Sequence, residues 1–163
     1  MAARLAPIAH ADLPAVAALH ARAFPDSALT ALGAEPLRRY YAWLLDGPHA
    51  ARVVGAWAGD ALGGDRLVGF CAAGVFRGAM SGFLRANRLY LAAHVARHPR
   101  LWGSPLVRDR IRAALRITAR FSSVGRAAAR ATGPAPAPAF GVLAIAIDPA
   151  AQGTGVGQAL MAE

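Results

Sequence analysis

Toward its C-terminal end the chain reads Gln152-Gly153-Thr154-Gly155-Val156-Gly157, three glycines at alternate positions behind Asp148-Pro149 and an apolar stretch. A strand that runs into a glycine turn and then a helix start gathers backbone N–H groups at one point. The first amides of a helix have no partner inside it, and the aligned peptide dipoles add partial positive charge there. Together they make a place for an anion, most often a phosphate. Glycine lets a ligand approach the backbone with no Cβ in the way. Gly153, Gly155 and Gly157 supply that freedom, and Thr154 adds a hydroxyl.

Two common phosphate turns do not fit. A P-loop needs Lys after its second glycine, whereas Gln158 follows Gly157 and the chain holds no Lys. A dinucleotide fingerprint needs a sixth-position glycine, and counting from Gly153 that position is Gln158. What fits is Gln-x-x-Gly-x-Gly, at Gln152, Gly155 and Gly157, behind strand residues Leu143–Ile147. This pattern resembles the acetyl-CoA signature of the GNAT acetyltransferase superfamily. "LAPIAHADLPAVAALHARAFPDS" is similar to that family's first strand and helix, and "LVGFCAAG" to its third strand.

The resemblance implies an α/β fold (α+β, with a mixed sheet) of the GNAT-like acyl-CoA N-acyltransferase kind. Residues 1–163 would form one partial domain, with an Arg-rich helical insertion at 77–130 and a Pro/Ala linker at 131–139. Similar Arg-rich helices before the motif strand occur in a subset of bacterial members. The implied activity is transfer of acetyl from acetyl-CoA, the cosubstrate, to an amine by direct attack in a ternary complex. Gln152, Gly153, Thr154, Gly155, Val156 and Gly157 would hold the CoA diphosphate on their amides. Leu143, Ile145 and Ile147 would pair with the pantetheine arm through free backbone groups, and a strand amide would polarise the thioester carbonyl. The segment between the first two helices lines the acceptor pocket in the family, which points to Phe24, Asp26, Ser27 and Leu29.

The family fold continues past this motif with the rest of the helix, a fifth strand that opens the CoA slot, and often a Tyr general acid. The chain therefore reads as the N-terminal portion of such a domain, with little activity expected of it alone and its motif strand left as an apolar sheet edge. General base and general acid are unassigned. The motif strand offers no carboxylate; Asp148 at its end reads as a turn or cap residue rather than a base, and Glu35 is a remote alternative.

The elements that must position the turn follow from periodicity. Ala3–Ile8 reads as a strand. Asp12 caps a helix with the stripe Leu13, Val16, Ala17, His20 and Phe24, broken by "FPDS". A second helix follows Glu35-Pro36 with Leu37, Tyr40, Tyr41 and Leu44 on one face, ended by Gly47-Pro48. Ala51–Ala58 and Arg66–Phe76 form an antiparallel hairpin. Phe83, Leu84, Tyr90, Leu91 and Val95 read as one helix stopped by His98-Pro99, and Ser104-Pro105 starts another with the stripe Val107, Ile111, Ala114, Leu115 and Thr118.

Composition bounds the rest. The chain has 163 residues, 56% apolar and 17% charged, so a packed core is expected. All 18 basic residues are Arg against 9 acids, and residues 77–130 hold 12 of those Arg with a single acid, Asp109. That asymmetry fits a solvated helical face in an Arg-biased proteome, contact with an anionic membrane surface or acidic partner, or nucleic acid. With no nucleic-acid motif beside it, specific nucleic-acid binding is not expected. A non-catalytic interaction module built on these basic helices is the rival to the enzyme. Cys71 is the only cysteine, which rules out an intramolecular disulfide. His10, His20, His49, His94 and His98 are scattered and lack carboxylate or thiol companions, so no metal is expected. The N-terminus lacks a signal-peptide apolar region, and the longest clean apolar run has ten residues. A cytoplasmic setting is the expectation.

Overall fold

Strand and helix periods alternate along this chain; the structure, a computed structural model, describes residues 3–48, 51–59, 64–75, 78–103 and 139–162. The elements are β1 (Arg4–Pro7), α1 (Leu13–Ala23), α2 (Ala28–Leu32), α3 (Ala34–Asp46), β2 (Arg52–Gly59), β3 (Asp65–Val75), α4 (Ala79–Ala86), α5 (Arg88–Arg97), β4 (Phe140–Ile147) and α6 (Val156–Met161). Short 3-10 turns stand at His10–Asp12, Pro99–Leu101 and Pro149–Ala151. The chain divides into two units, Met1–Arg88 with Pro138–Glu163, and Leu89–Ala137. The glycine turn lies in the first.

The four strands form one sheet in the order β1-β2-β3-β4, and every pairing is antiparallel. The α/β class therefore holds, while the expected mixed sheet is corrected: among the described residues no strands pair in parallel. Two irregularities shape the sheet. Opposite β2, the register passes from Ala56↔Gly69 to Trp57↔Leu67, so Val68 is the extra residue of a bulge. Opposite β3, Ala72 pairs with Ala144 and Ala73 with Val142, so Leu143 is the extra residue on β4. The second bulge flips the alternation of β4, which is why Val142, Ile145 and Ile147 pack against one cluster despite their odd spacing.

Neighbouring residues of a strand face opposite sides. Phe70 meets Tyr41 of α3 edge to face, ring centroids 5.1 Å apart. Cys71 belongs instead to a cluster with Ala56, Ala58, Val68, Ala151, Val156 and Leu160. Helices α3 and α6 therefore cover opposite faces. Gly69 makes the α6 side fit: a Cβ there would lie 3.0 Å from both Val156 and Leu160 side-chain carbons. Tyr40 and Tyr41 are buried, as their stripe predicts, and Tyr40 stacks edge-on to Phe83 of α4 at 5.3 Å.

Several boundaries differ from the periodicity. Phe24 does not continue the α1 stripe; it follows the helix end and is exposed, while Leu19 is buried in its place. Asp12 does not cap α1. Its carboxylate accepts the Ala9 N–H at 2.9 Å and closes the preceding 3-10 turn. The short helix α2 was not foreseen; Ser27 caps it by accepting the Thr30 N–H. The expected single helix through Phe83 and Val95 is two. Asn87 ends α4, its backbone and side-chain amides both donating to the Phe83 carbonyl, which shows how Asn competes with the helical ladder. The second insertion helix and nearly all of the Pro/Ala linker lie outside the described residues. No helix among the described residues is long and apolar enough to cross a membrane.

Glu35 in the first turn of α3 is bridged by Arg38 and Arg39 at 2.8 and 2.9 Å. The Arg38 hydrogen bond foremost, then Arg39 and the two charges, outweigh partial burial and hold its carboxyl down to about 2. Glu35→Gln is expected to cost under about 1 kcal/mol at neutral pH, because the pair is solvent-screened. A depressed carboxyl stabilises above its unfolded value, so the difference from wild type should vanish as pH falls from the ordinary Glu range toward 2. Urea melts at stepped pH measure it.

Candidate functional site

The site begins where β4 ends. Asp148 Nα donates to the carbonyl of the bulged Val68 at 2.8 Å, which fixes the exit of the strand. The Asp148 side chain is buried and fully engaged. Oδ1 accepts the Ala150 N–H at 3.1 Å and caps the turn Pro149–Ala151. Oδ2 accepts from Arg22 of α1 at 3.0 Å and from Arg66 of β3 at 2.9 Å. Burial pushes this carboxyl up, but the Ala150 bond and the two guanidiniums outweigh it and hold the group below its ordinary value. A carboxylate so held is a poor proton acceptor. Its work is to tie α1, β3 and the end of β4 together, two guanidiniums on one carboxylate.

After Ala151, itself buried, the chain surfaces. Gln152, Gly153, Thr154 and Gly155 are exposed. Gly153 (φ +77°) and Gly155 (φ +85°) take the left-handed conformation that other residues rarely adopt, and Gly155 occupies the position just before α6. A Cβ at either would meet nothing within 4 Å, so the backbone there faces open space. The Gln152 N–H, expected in the cradle, instead donates to the Pro149 carbonyl at 3.4 Å and closes the 3-10 turn, whereas no backbone hydrogen bond among the described residues uses the amides of Gly153, Thr154, Gly155, Val156 or Gly157. The Thr154 hydroxyl donates to the Ala151 carbonyl at 2.7 Å, bracing the turn and leaving only its lone pairs outward.

Gly157 serves differently from the other two. It lies inside α6, and a Cβ there would come 2.7 Å from Ile147 Cδ1, so its smallness seats the helix against β4. Val156 is buried, its side chain in the cluster under α6. Ile145 and Ile147 also direct their side chains to that cluster, and Leu143 is the bulged residue. β4 has β3 as its partner and lies at the sheet edge among the described residues.

The second expected group sits on the segment from α1 to α2. Phe24 is exposed, its ring 4.9 Å from that of His20. Asp26 is exposed and Leu29 half-buried. Ser27 is occupied: its hydroxyl lies 3.1 Å from His20 Nε2, donates to Thr30 Oγ1 at 2.8 Å and accepts the Thr30 N–H at 3.0 Å. His20 Nδ1 is 2.7 Å from Tyr41 Oη. Arg22, two residues before Phe24, makes the link from this end of α1 to Asp148.

Sequence reasoning missed two things here. Arg22 and Arg66 lie far along the chain from Asp148, and no local pattern marks them as its partners. His20 and Tyr41 lie on the apolar stripes of α1 and α3, and a polar group on each of two buried stripes is itself a sign that they meet. Glu35, the alternative base, is taken up by Arg38 and Arg39. The rings of His94 and His98 lie 4.2 Å apart, with His98 Nδ1 on the His94 carbonyl. Among the described residues no three His, Cys, Asp or Glu gather as a metal ion would need. No protein-family model matches the chain, and no curated protein matches it.

Proposed function

We propose that this chain has the chemistry of a GNAT-like N-acetyltransferase, which takes acetyl-CoA and passes its acetyl group to an amine. The observation that carries the reading is the turn Gly153–Gly155, exposed, with amides that no backbone hydrogen bond uses and two left-handed glycines, between an antiparallel edge strand and the start of α6. Such a turn suits the diphosphate of CoA: its amides have no backbone partner, and nothing lies within 4 Å of a Cβ placed at Gly153 or Gly155.

Acetyl-CoA supplies an activated acyl group whose leaving thiolate carries off the CoA. The chain's own residues supply placement. Asp148, Arg22 and Arg66 fix the end of β4, from which the turn departs, against α1 and β3. β4 offers its free edge to an extended ligand arm, as an added strand would use it. The bulge at Leu143 turns backbone groups out of the regular ladder, where an amide can polarise a thioester carbonyl. The deprotonated amine attacks the acetyl carbon, the C–S bond breaks, and the thiolate takes the proton released by the new amide. Positioning and polarisation carry the rate.

Calorimetry with CoA tests this. Wild type is expected to bind, and Gly155→Asp to bind roughly a hundredfold more weakly, because it sets a carboxylate among donors meant for an anion. Its circular dichroism should be unchanged, since the added Cβ meets open space and a left-handed residue costs about 1–2 kcal/mol. No CoA affinity in a folded wild type, together with binding to anionic vesicles, would favour the interaction module instead.

A further inference from the structure

We propose that α5 and the turn after it form a docking surface for an anionic membrane, with Leu89 and Trp102 entering the lipid interface and Arg97 and Arg100 meeting lipid phosphates.

Charge singles out this part of the chain. Residues 89–137 hold nine of the 18 Arg and one of the nine acids, Asp109, a formal charge of +8. The other 114 residues hold nine Arg and eight acids, a formal charge of +1. A bias of composition toward Arg would raise both units alike, so it does not account for the difference. The positive excess is local, and a concentrated field of one sign recruits a partner of the other.

The described residues of this unit show what stands beside the charge. Leu89, Ala92, Ala93 and Ala96 share one face of α5. Leu89, Ala92 and Ala96 are exposed and Ala93 is half-buried, whereas Tyr90, Leu91, His94 and Val95 on the opposite face are all half-buried. The helix therefore presents apolar side chains where a solvated helix carries polar ones. Trp102 adds to them. Its indole N–H donates to the Val95 carbonyl at 2.8 Å and its backbone N–H to the Pro99 carbonyl at 3.0 Å, yet 57% of the residue stays exposed. With its polar atom satisfied inside the protein, what Trp102 shows outward is hydrocarbon ring. Arg97 and Arg100 are exposed, and neither forms an ion pair among the described residues. Exposed apolar groups with uncompensated Arg beside them match the headgroup region of an anionic leaflet. Contact there is peripheral, since no helix among the described residues is long and apolar enough to cross. A nucleic acid would use the same Arg and stack a base on Trp102, but it would leave Leu89 and its face in water. A bilayer takes up both. The surface draws on no residue of the glycine turn, so it stands without the acetyltransferase reading.

Co-sedimentation of the 163-residue chain with vesicles of phosphatidylcholine, alone or with about 30% phosphatidylserine, tests it, with tryptophan emission read on the same samples. CoA is absent throughout, so the result is separate from that of the calorimetry. Binding is expected to the anionic vesicles only, about tenfold weaker at roughly 300 mM salt than at 50 mM. Emission should move to the blue on binding, and that shift should be lost in Trp102→Phe, which keeps Trp43 and Trp57. The double variant Arg97→Gln with Arg100→Gln should bind roughly twentyfold more weakly, about fivefold for each charge. Leu89→Ala should bind about fivefold more weakly, with circular dichroism unchanged in every variant. Equal binding to neutral and anionic vesicles, binding to neither, or undiminished binding by the double Arg variant overturns the proposal. So does a single-stranded oligonucleotide that displaces the chain from anionic vesicles while no emission shift accompanies vesicle binding, which would assign the surface to nucleic acid.

Discussion

Phe70→Ala should destabilise the chain by about 3–5 kcal/mol, the largest effect of any single truncation considered. Phe70 is fully buried, sits opposite Gly55 on β2, and meets Tyr41 edge to face. Removing the ring empties the space between the sheet and α3, and the loss combines lost transfer energy with an unfilled cavity. Domains are stable by about 5–15 kcal/mol, so the variant should lie close to unfolding at 25 °C. Urea denaturation reads this as a lower midpoint with an unchanged slope. Leu89→Ala is the control: Leu89 is 79% exposed and should change stability by less than about 0.5 kcal/mol. A loss under about 1 kcal/mol for Phe70→Ala would mean that α3 does not rest on β3.

Asp148→Ala should cost about 2–3 kcal/mol. It removes a cap, about 1 kcal/mol, and two charge-assisted bonds whose guanidiniums are half-exposed and so recover part of their solvation. The penalty should depend on pH in a stated sense. Because the folded carboxyl is held below its ordinary value, its contribution is complete above the ordinary Asp range and is lost as pH falls through the folded value. Wild type and variant should therefore converge on acidification. Asp148→Asn keeps the Oδ1 acceptor and should lose less. An Asp148→Ala penalty independent of pH would show that the carboxylate is not paired as described.

Much of this architecture is written locally. The stripe Leu37, Tyr40, Tyr41 and Leu44 marks α3, and Gly47-Pro48 stops it. The hairpin of β2 and β3 follows from two apolar runs around a glycine-rich turn. The glycine turn between strand and helix is legible in the spacing, but the role of each glycine is not: Gly153 and Gly155 are left-handed, whereas Gly157 is helical and seats α6 on Ile147. What was not legible depends on partners distant in sequence. The bulges at Val68 and Leu143 are decided by register between strands. The Asp148 tether joins three elements. Asn87 breaks a helix that the apolar period carries straight through, because its side chain can satisfy the same carbonyl as the ladder. The contacts of His20 with Tyr41 and Ser27 exist only once α1 and α3 have packed.

The central claim is that the amides of Gly153, Thr154 and Gly155 are free to hold a diphosphate. Amide chemical shifts of the isotope-labelled chain, followed as CoA is added, test it at the atoms concerned. Saturable movement concentrated on those three signals, and absent in Gly155→Asp, is the predicted result. Unmoved signals there at millimolar CoA, or movement confined to other parts of the chain, would contradict it.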